Sequence, residues 1–335
     1  MISRRRFLAP LAALPLAAAL PAGQARAHDG SPGRTRDRIR VVSERRDGRV
    51  LDLTVASPAL GGAEAVVRLL LPRGWQPGTH RRWPVLYMLH GATGDHRMWS
   101  ERTDLPEITE DRDVLVVIPD GGPFSYYSNW WNHGSYGAPA WETFHLDEMR
   151  TLLEHNYGAG TRRAIAGLSM GGQGAFKYAA ARPGMFRMAA SYSGVLNTTA
   201  PRVVIGGPFG DTDFATAQGM FIDAYGTDHL RLWGDRYKQA AVWAANNPTD
   251  LAWRLRGIPL YISAGDGNPG PLDPPGTKFD TGEAMFGPMS NDFVAAGRRH
   301  RLRMTTALGP GTHTMPYWQH HLHKSFPMLM DVLGD

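Results

Sequence analysis

The sequence contains no cysteine. Without cysteine the chain can form no disulfide, so its stability must come from a buried core, and a lipoprotein anchor on cysteine is excluded. A hydrophobic run long enough to cross a membrane is missing as well. The apolar stretch near the start is short and is interrupted by Pro10, Pro15 and Pro21, so we expect no stable membrane span.

An excess of charge of one sign is also missing once the first residues are set aside. The chain has 36 basic and 31 acidic residues. Four of the basic residues lie in residues 1–27, which contain no acid, so the rest of the chain carries 32 basic against 31 acidic residues. This balance gives no reason to expect a nucleic acid as a partner.

Residues 1–27 have the pattern of a twin-arginine signal peptide. Ser3-Arg-Arg-Arg-Phe-Leu8 precedes the apolar stretch, and Ala25-Arg-Ala27 is typical of a cleavage site. We expect export to the cell envelope or the medium and a mature chain that begins at His28; the alternative is an uncleaved anchor. Residues 28–46 are polar and arginine-rich and predict a flexible lead-in. Residues 47–335 suit one large domain.

Short apolar runs alternate with longer segments that suit helices. The runs are 50–55, 65–71, 85–89, 114–119, 163–166, 188–193, 259–264 and 301–308, and the helical segments are 141–157, 170–182, 279–299 and 315–333. This alternation predicts a mostly parallel sheet covered on both faces, with the first two runs forming an antiparallel edge. Residues 197–257 interrupt the alternation and predict a cap-like insertion between two strands.

Gly167-Leu-Ser-Met-Gly171 matches the G-x-S-x-G pattern of a nucleophile elbow. It lies between an apolar run and a helical segment, which is the strand–turn–helix setting that the motif requires. Glycines suit positions 167 and 171 because side chains there would collide with neighbouring backbone. The pattern predicts Ser169 as a nucleophile, and the alternative is a glycine-rich turn with an incidental serine.

A serine nucleophile needs a base, and the base needs an acid to orient it. His313 follows the apolar run 301–308 and precedes the last helical segment, which is the place of the base in the order serine, acid, histidine. For the acid, position alone favours Asp266, directly after the run 259–264. Further acidic candidates follow: Asp273, Asp280 and Glu283.

Two backbone N–H groups are expected to bind the oxyanion. One belongs to Met170, after the nucleophile, and the other to Ala92, in the loop after the run 85–89. The neighbouring His90 is expected to be structural. Trp130 and Trp131 are candidates for binding an acyl or sugar group, with plain packing as the alternative.

Three further histidines cluster in the last helical segment: His320, His321 and His323. They are interpreted as ordinary helix residues. No acidic partner lies at ligand spacing, so we expect no metal and no cofactor.

Four segments resemble, in the same order, motifs of the esterase family that contains the antigen 85 mycolyltransferases and the esterase-D-type hydrolases. They are Phe124-Ser-Tyr-Tyr-Ser-Asn-Trp130, Trp141-Glu-Thr-Phe144, Gly167-Leu-Ser-Met-Gly-Gly172 and Gly311-Thr-His-Thr-Met-Pro-Tyr-Trp318. The likeness spans roughly residues 84–330 and implies an α/β-hydrolase fold. In that family the triad acid is a glutamate at the start of the helix before the last strand. The matching position is Glu283, so the resemblance moves our expectation from Asp266 to Glu283.

The resemblance implies an exported serine ester hydrolase or acyltransferase that works through an acyl-enzyme on Ser169. Its partners would be small-molecule or lipid acyl esters, with water, an alcohol or a sugar as acceptor. The mycolyltransferases carry Asp, Arg and Trp where this chain has His90, Thr93 and Met315. Side chains of the first kind would bind a trehalose headgroup, and this chain lacks them at those positions. The alternatives are a mycolyltransferase or diacylglycerol acyltransferase-like enzyme of the cell envelope, or a non-enzymatic carbohydrate- or surface-binding protein.

Overall fold

The computed structural model describes residues 38–204 and 211–334. The predicted signal peptide and the first part of the predicted lead-in, up to residue 37, lie outside the described residues. Within the described ranges, no helix combines the length and the apolar character that crossing a membrane requires.

The strands of the described residues form one large sheet and one small pair. They are β1 (Arg40–Asp47), β2 (Val50–Ala56), β3 (Glu64–Leu70), β4 (Trp83–Leu89), β5 (Leu115–Pro119), β6 (Ala159–Leu168), β7 (Ala189–Tyr192), β8 (Val203–Val204), β9 (Asp211–Thr212), β10 (Pro259–Gly265) and β11 (Arg303–Gly309). The large sheet has the order β1-β2-β3-β5-β4-β6-β7-β10-β11, and β8 pairs with β9. In the large sheet, β1–β2, β2–β3 and β3–β5 are antiparallel pairs and the other five pairs are parallel. The pair β8–β9 is antiparallel. The predicted mostly parallel sheet with an antiparallel edge is confirmed.

Strand β1 corrects the predicted flexible lead-in at residues 28–46. From Arg40 the chain is paired with β2, with Arg40 opposite Ala56 and Asp47 opposite Val50. All but one of the β1 side chains are exposed. Because an edge strand is held by its backbone pairing, it can carry polar, charged side chains, and such a strand lacks the apolar alternation that reveals strands in a sequence.

Helices connect the strands. They are α1 (Met98–Arg102), α2 (Leu105–Ile108), α3 (Trp141–Thr143), α4 (Arg150–Asn156), α5 (Met170–Ala181), α6 (Phe214–Ala224), α7 (Leu230–Trp233), α8 (Ala240–Ala245), α9 (Pro248–Leu251), α10 (Glu283–Arg299) and α11 (Met315–Leu333). A π-helical segment, Phe144–Met149, joins α3 to α4, and short 3₁₀ turns cover Pro58–Leu60, Asn132–Gly134 and Ala252–Leu255. The helices predicted at 141–157, 170–182 and 315–333 are confirmed, whereas the one predicted from residue 279 begins at Glu283.

Apolar side chains cover the sheet on both faces. Successive residues of a strand point to opposite faces, so along β4 the side chain of Tyr87 joins one core cluster and that of Leu86 joins the other. Helices α5 and α10 cover the first face, where Phe176 and Phe293 lie 5.0 Å apart. Helix α11 covers the second face through side chains such as Leu322. The central parallel strands are therefore covered by apolar side chains on both faces.

Residues 197–257 leave the large sheet between β7 and β10. Their described part contains β8, β9 and helices α6 to α9. Helix α6 is capped by Asp213, whose side chain accepts a hydrogen bond from the backbone N–H of Thr216. The sequence predicts that the strand–helix alternation is interrupted here, and the structure shows this interruption. The role of the segment as a cap stays a prediction.

Candidate active site

Ser169 lies in the sharp turn between β6 and α5, with φ 55° and ψ −122°. This backbone conformation is rare for a residue with a side chain and is typical of a nucleophile elbow. A Cβ atom on Gly167 would lie 2.2 Å from the carbonyl oxygen of Gly171, and one on Gly171 would lie 2.4 Å from that of Leu89. The prediction that side chains at these two positions would collide with backbone is confirmed.

The imidazole of His313 lies between Ser169 and Glu283. Its Nε2 is 3.1 Å from Oγ of Ser169, and its Nδ1 is 2.5 Å from Oε2 of Glu283. The backbone N–H of His313 donates to Oδ2 of Asp280 over 2.7 Å, which holds the loop after β11. The structure therefore brings the three predicted catalytic side chains into one hydrogen-bonded line.

The carboxylate of Glu283 is fully buried at the first residue of α10. Its Oε1 accepts hydrogen bonds from the hydroxyl of Ser193, over 2.7 Å, and from the backbone N–H of Gly265, over 2.5 Å. A buried carboxylate requires such donors, and the start of a helix favours negative charge. These contacts leave Oε2 facing His313.

Asp266, the alternative acid, is used differently. Its Oδ1 accepts from the backbone N–H of Asn268 over 2.8 Å, within a surface turn after β10. Among the described residues, the imidazole of His313 is hydrogen-bonded to Glu283 and Ser169 and not to Asp266. The chain after β10 loops outward and brings its acid back only at the start of α10.

Two aromatic side chains enclose the imidazole of His313. The ring of Phe286 stacks on it at 4.6 Å, and Trp318 meets it edge-on at 4.7 Å. The indole N–H of Trp318 also donates to Oγ of Ser193 over 3.1 Å, and that hydroxyl donates in turn to Glu283. Sequence reasoning missed this arrangement: Trp318 lies in a quoted motif, but spacing did not reveal its partners.

The two expected oxyanion donors lie beside Ser169, and all three residues line one cavity. Met170 is the first residue of α5, so its N–H has no acceptor within the helix. Ala92 follows β4 in the adjacent loop. The structure thus brings both predicted residues next to Ser169.

His90 holds the loop that carries Ala92. Its Nε2 accepts from the backbone N–H of Gly121 over 2.8 Å, so its Nδ1 carries the hydrogen and donates to the carbonyl of Gly91 over 2.7 Å. Burial lowers the pKa of His90, which favours this neutral ring. Because the Gly91 carbonyl is held by His90, the adjoining peptide N–H, that of Ala92, is oriented as well.

A cavity of about 290 Å³ opens in front of Ser169. Besides the residues of the elbow and the oxyanion loop, its walls are mainly apolar, and they include Phe124, Tyr126, Phe214, Phe221, Met285 and Phe286. A larger groove of about 570 Å³ lies along residues 272–281 and 312–316 but does not include Ser169. Of these two spaces, the apolar cavity is therefore the one next to Ser169.

Neither Trp130 nor Trp131 lines this cavity, and their role in binding a substrate stays a prediction. Trp130 is buried in the core, with the guanidinium of Arg231 5.5 Å from its ring centre. Positive φ angles of 46° at Phe124 and 50° at Tyr126 turn the same loop so that these two residues face the cavity instead. A turn of this kind cannot be read from the aromatic content of the segment.

Possible metal ligands lie outside the cavity. In the described part of the chain, Asp223, Asp228 and His229 come close enough to share an ion on the surface. Each is already paired: His229 with Asp223 at 2.8 Å, and Asp228 with His133 at 2.9 Å. None of these residues lines the cavity in front of Ser169.

Comparison with known proteins agrees with the site. The sequence model of the Esterase family matches residues 57–329. The chain belongs to this family. It is 30% identical over 299 residues to the diacylglycerol acyltransferase/mycolyltransferase Ag85B of Mycolicibacterium smegmatis, covering 84% of this chain and 85% of that protein. It is also 37% identical over 137 residues to Esterase Rv1288 of Mycobacterium tuberculosis, and this match spans 30% of that protein's length and 36% of this chain.

Solved structures share the fold. An S-formylglutathione hydrolase from Agrobacterium tumefaciens superposes with a TM-score of 0.66 at 17% identity, over 88% of this chain and 99% of that one. MPT51 (FbpC1) of Mycobacterium tuberculosis superposes with a TM-score of 0.63 at 23% identity, over 86% and 99%. The predicted α/β-hydrolase fold and the predicted family are confirmed.

Proposed function

We propose that this protein is an exported serine ester hydrolase or acyltransferase that works through an acyl-enzyme on Ser169. One observation carries the proposal: a hydrogen-bonded line from Ser169 through His313 to the buried Glu283, at the wall of an apolar cavity. Serine becomes a useful nucleophile only when a base takes its proton, and this arrangement supplies the base.

Acylation begins with attack of the Ser169 hydroxyl oxygen on the carbonyl carbon of an ester. Nε2 of His313 takes the hydroxyl proton, and Glu283 stabilises the imidazolium through Nδ1. The backbone N–H groups of Ala92 and Met170 donate to the oxyanion of the tetrahedral intermediate. Collapse of the intermediate breaks the ester C–O bond, and His313 returns the proton to the departing alcohol.

Release of the acyl group repeats these steps with a second hydroxyl compound. Water or an alcohol enters where the first alcohol left, gives its proton to His313 and attacks the acyl carbon. Collapse then restores the Ser169 hydroxyl. With water the product is a free acid, and with an alcohol it is a new ester.

Hydrolysis of 4-nitrophenyl esters by Ser169→Ala and by the unaltered protein tests the mechanism. We expect the rate to fall by about 10⁵–10⁶-fold, because the nucleophile and base act as a unit. Ser135→Ala is a suitable control, since its hydroxyl donates only to the nearby carbonyl of Asn132. Equal rates for Ser169→Ala and the unaltered protein would refute the proposal.

Acyl transfer is favoured as a second activity by the similarity to a protein named diacylglycerol acyltransferase/mycolyltransferase. A partition experiment separates it from hydrolysis: the ratio of ester product to free acid is measured while glycerol or trehalose is added. A ratio that saturates with the added alcohol indicates a bound acceptor. A ratio that rises in proportion to the concentration of the added alcohol, without saturating, indicates a hydrolase.

Export is supported by the twin-arginine pattern at Arg4 and Arg5 and by the Ala25-Arg-Ala27 site. We expect the exported protein to begin at His28, as measured by intact mass. Replacing both arginines by lysine should leave the full-length chain inside the cell. A full-length chain in the exported fraction would contradict cleavage.

A further inference from the structure

The walls of the Ser169 cavity exclude charge. Among its described lining residues there is no Asp, Glu, Lys or Arg, and the titratable side chains are His313 and the phenol of Tyr126. Burial raises the pKa of Tyr126 well above its ordinary value, so this phenol stays neutral. An ionised acyl group would lose its hydration here without gaining a partner, which is costly.

The volume of the cavity sets a size. A water molecule takes about 30 Å³ of the liquid. At a similar share for each non-hydrogen atom, a cavity of about 290 Å³ has room for on the order of ten such atoms. A straight acyl group of about eight to ten carbons fills this space, whereas an acetyl group leaves most of it empty.

Phe221 of α6 lies at a place where the wall of the cavity meets solvent. It lines the cavity and yet its residue is 41% exposed, whereas the neighbouring walls Phe214 and Phe286 are buried. Tyr225, the residue directly after α6, contacts the loop that bears Phe124: the two rings meet edge-on, with their centres 4.9 Å apart. A longer acyl chain that follows the wall formed by α6 would therefore pass the ring of Phe221.

Resting on the proposed function, we infer that Ser169 is acylated by uncharged, medium-length aliphatic acyl groups and that Phe221 sets the upper length. The chain lies along the apolar wall formed by α6 and the start of α10. Its carbonyl lies at Ser169, and its far end reaches Phe221. Chain-length selection is then a property of the inserted segment rather than of the elbow.

A series of acyl esters of one alcohol tests the inference. With acetyl, butyryl, octanoyl, dodecanoyl and palmitoyl esters under the same detergent, we expect kcat/KM to peak near octanoyl. Phe221→Ala should raise the ratio of dodecanoyl to butyryl rates by about tenfold, and Phe221→Trp should move the peak to shorter chains. Tyr237→Ala is a matched control, because Tyr237 is an exposed aromatic of the same segment and lies outside this cavity.

A charged ester completes the test. A hemisuccinyl ester should react at least about tenfold more slowly than a pentanoyl ester of similar size. A profile that is flat, that peaks at acetyl or that keeps rising to palmitoyl overturns the inference, and so does an unchanged profile in Phe221→Ala. If instead Ser169→Ala keeps full activity, the proposed function itself fails.

Discussion

Replacing Glu283 by glutamine separates the two acids that the sequence left open. Oε1 of Glu283 accepts from both Ser193 and Gly265, so the amide oxygen of glutamine will keep that place. Its NH₂ group then faces Nδ1 of His313 and can only donate. Nδ1 must accept, so the ring hydrogen moves to Nε2, which faces Ser169 and can no longer take its proton.

The expected loss follows from this wrong tautomer. Exchange of a triad acid for its amide lowers kcat by about 10⁴-fold, or about 5.5 kcal/mol of transition-state stabilisation. Stability should change little, by about 1–2 kcal/mol, because the two hydrogen bonds at the retained oxygen persist. The measurements are kcat with a 4-nitrophenyl ester and the free energy of unfolding in urea.

Asp266→Asn is the control for this prediction. Its carboxylate accepts a hydrogen bond within a surface turn, so we expect less than about a threefold change in kcat. Near-normal turnover by Glu283→Gln together with an inactive Asp266→Asn would show that the acid has been assigned to the wrong residue.

Three further predictions concern the surroundings of the site. Trp318→Phe keeps an aromatic ring beside the imidazole but removes the indole N–H that donates to Ser193. We expect kcat to fall about tenfold, the acidic limb of the profile of kcat against pH to shift, and KM to stay unchanged. An unchanged pH profile would exclude a positioning role for Trp318. Gly171→Ala places a Cβ 2.4 Å from the carbonyl of Leu89, so the protein should unfold at least about 3 kcal/mol more easily in urea; normal stability would refute the close packing. Burial lowers the pKa of His145 to about 3. Below about pH 6.5 the unfolded state therefore takes up this proton while the folded state does not, and the free energy of unfolding should fall by about 1.4 kcal/mol per pH unit down to about pH 3. His145→Gln should lack this pH-dependent component, and identical slopes of unfolding free energy against pH in the two proteins would contradict it.

Long, periodic elements were the most predictable part of the fold. Helix α11 has the expected bounds of Met315–Leu333, and the residue after it, Gly334, caps the helix with a left-handed backbone. Helix α10 begins four residues later than expected because Asp280 accepts the N–H groups of Gly282 and Glu283, over 2.8 and 3.2 Å, in place of a first helical turn. Local hydrogen bonds of this kind shift a helix start without changing the apolar pattern.

The candidate site likewise has a part that the sequence predicts well and a part that it does not. Ser169 and Met170 follow from a local motif, because the turn itself orients them. The acid depends on contacts between distant residues: Glu283 is held by Ser193 and Gly265, and spacing alone favoured Asp266 until the family resemblance was considered. The aromatic walls of the cavity were missed for a similar reason, since the direction of a side chain in an irregular loop depends on backbone angles that composition does not encode.

Covalent labelling of Ser169 tests the central claim most directly. A fluorophosphonate probe reacts with a serine that a neighbouring base activates, and peptide mass spectrometry locates the modified residue. We expect one rapid modification, on Ser169, that is abolished in Ser169→Ala and strongly slowed in His313→Ala. An unlabelled protein, or labelling of another serine at the same rate, would contradict an acyl-enzyme at Ser169.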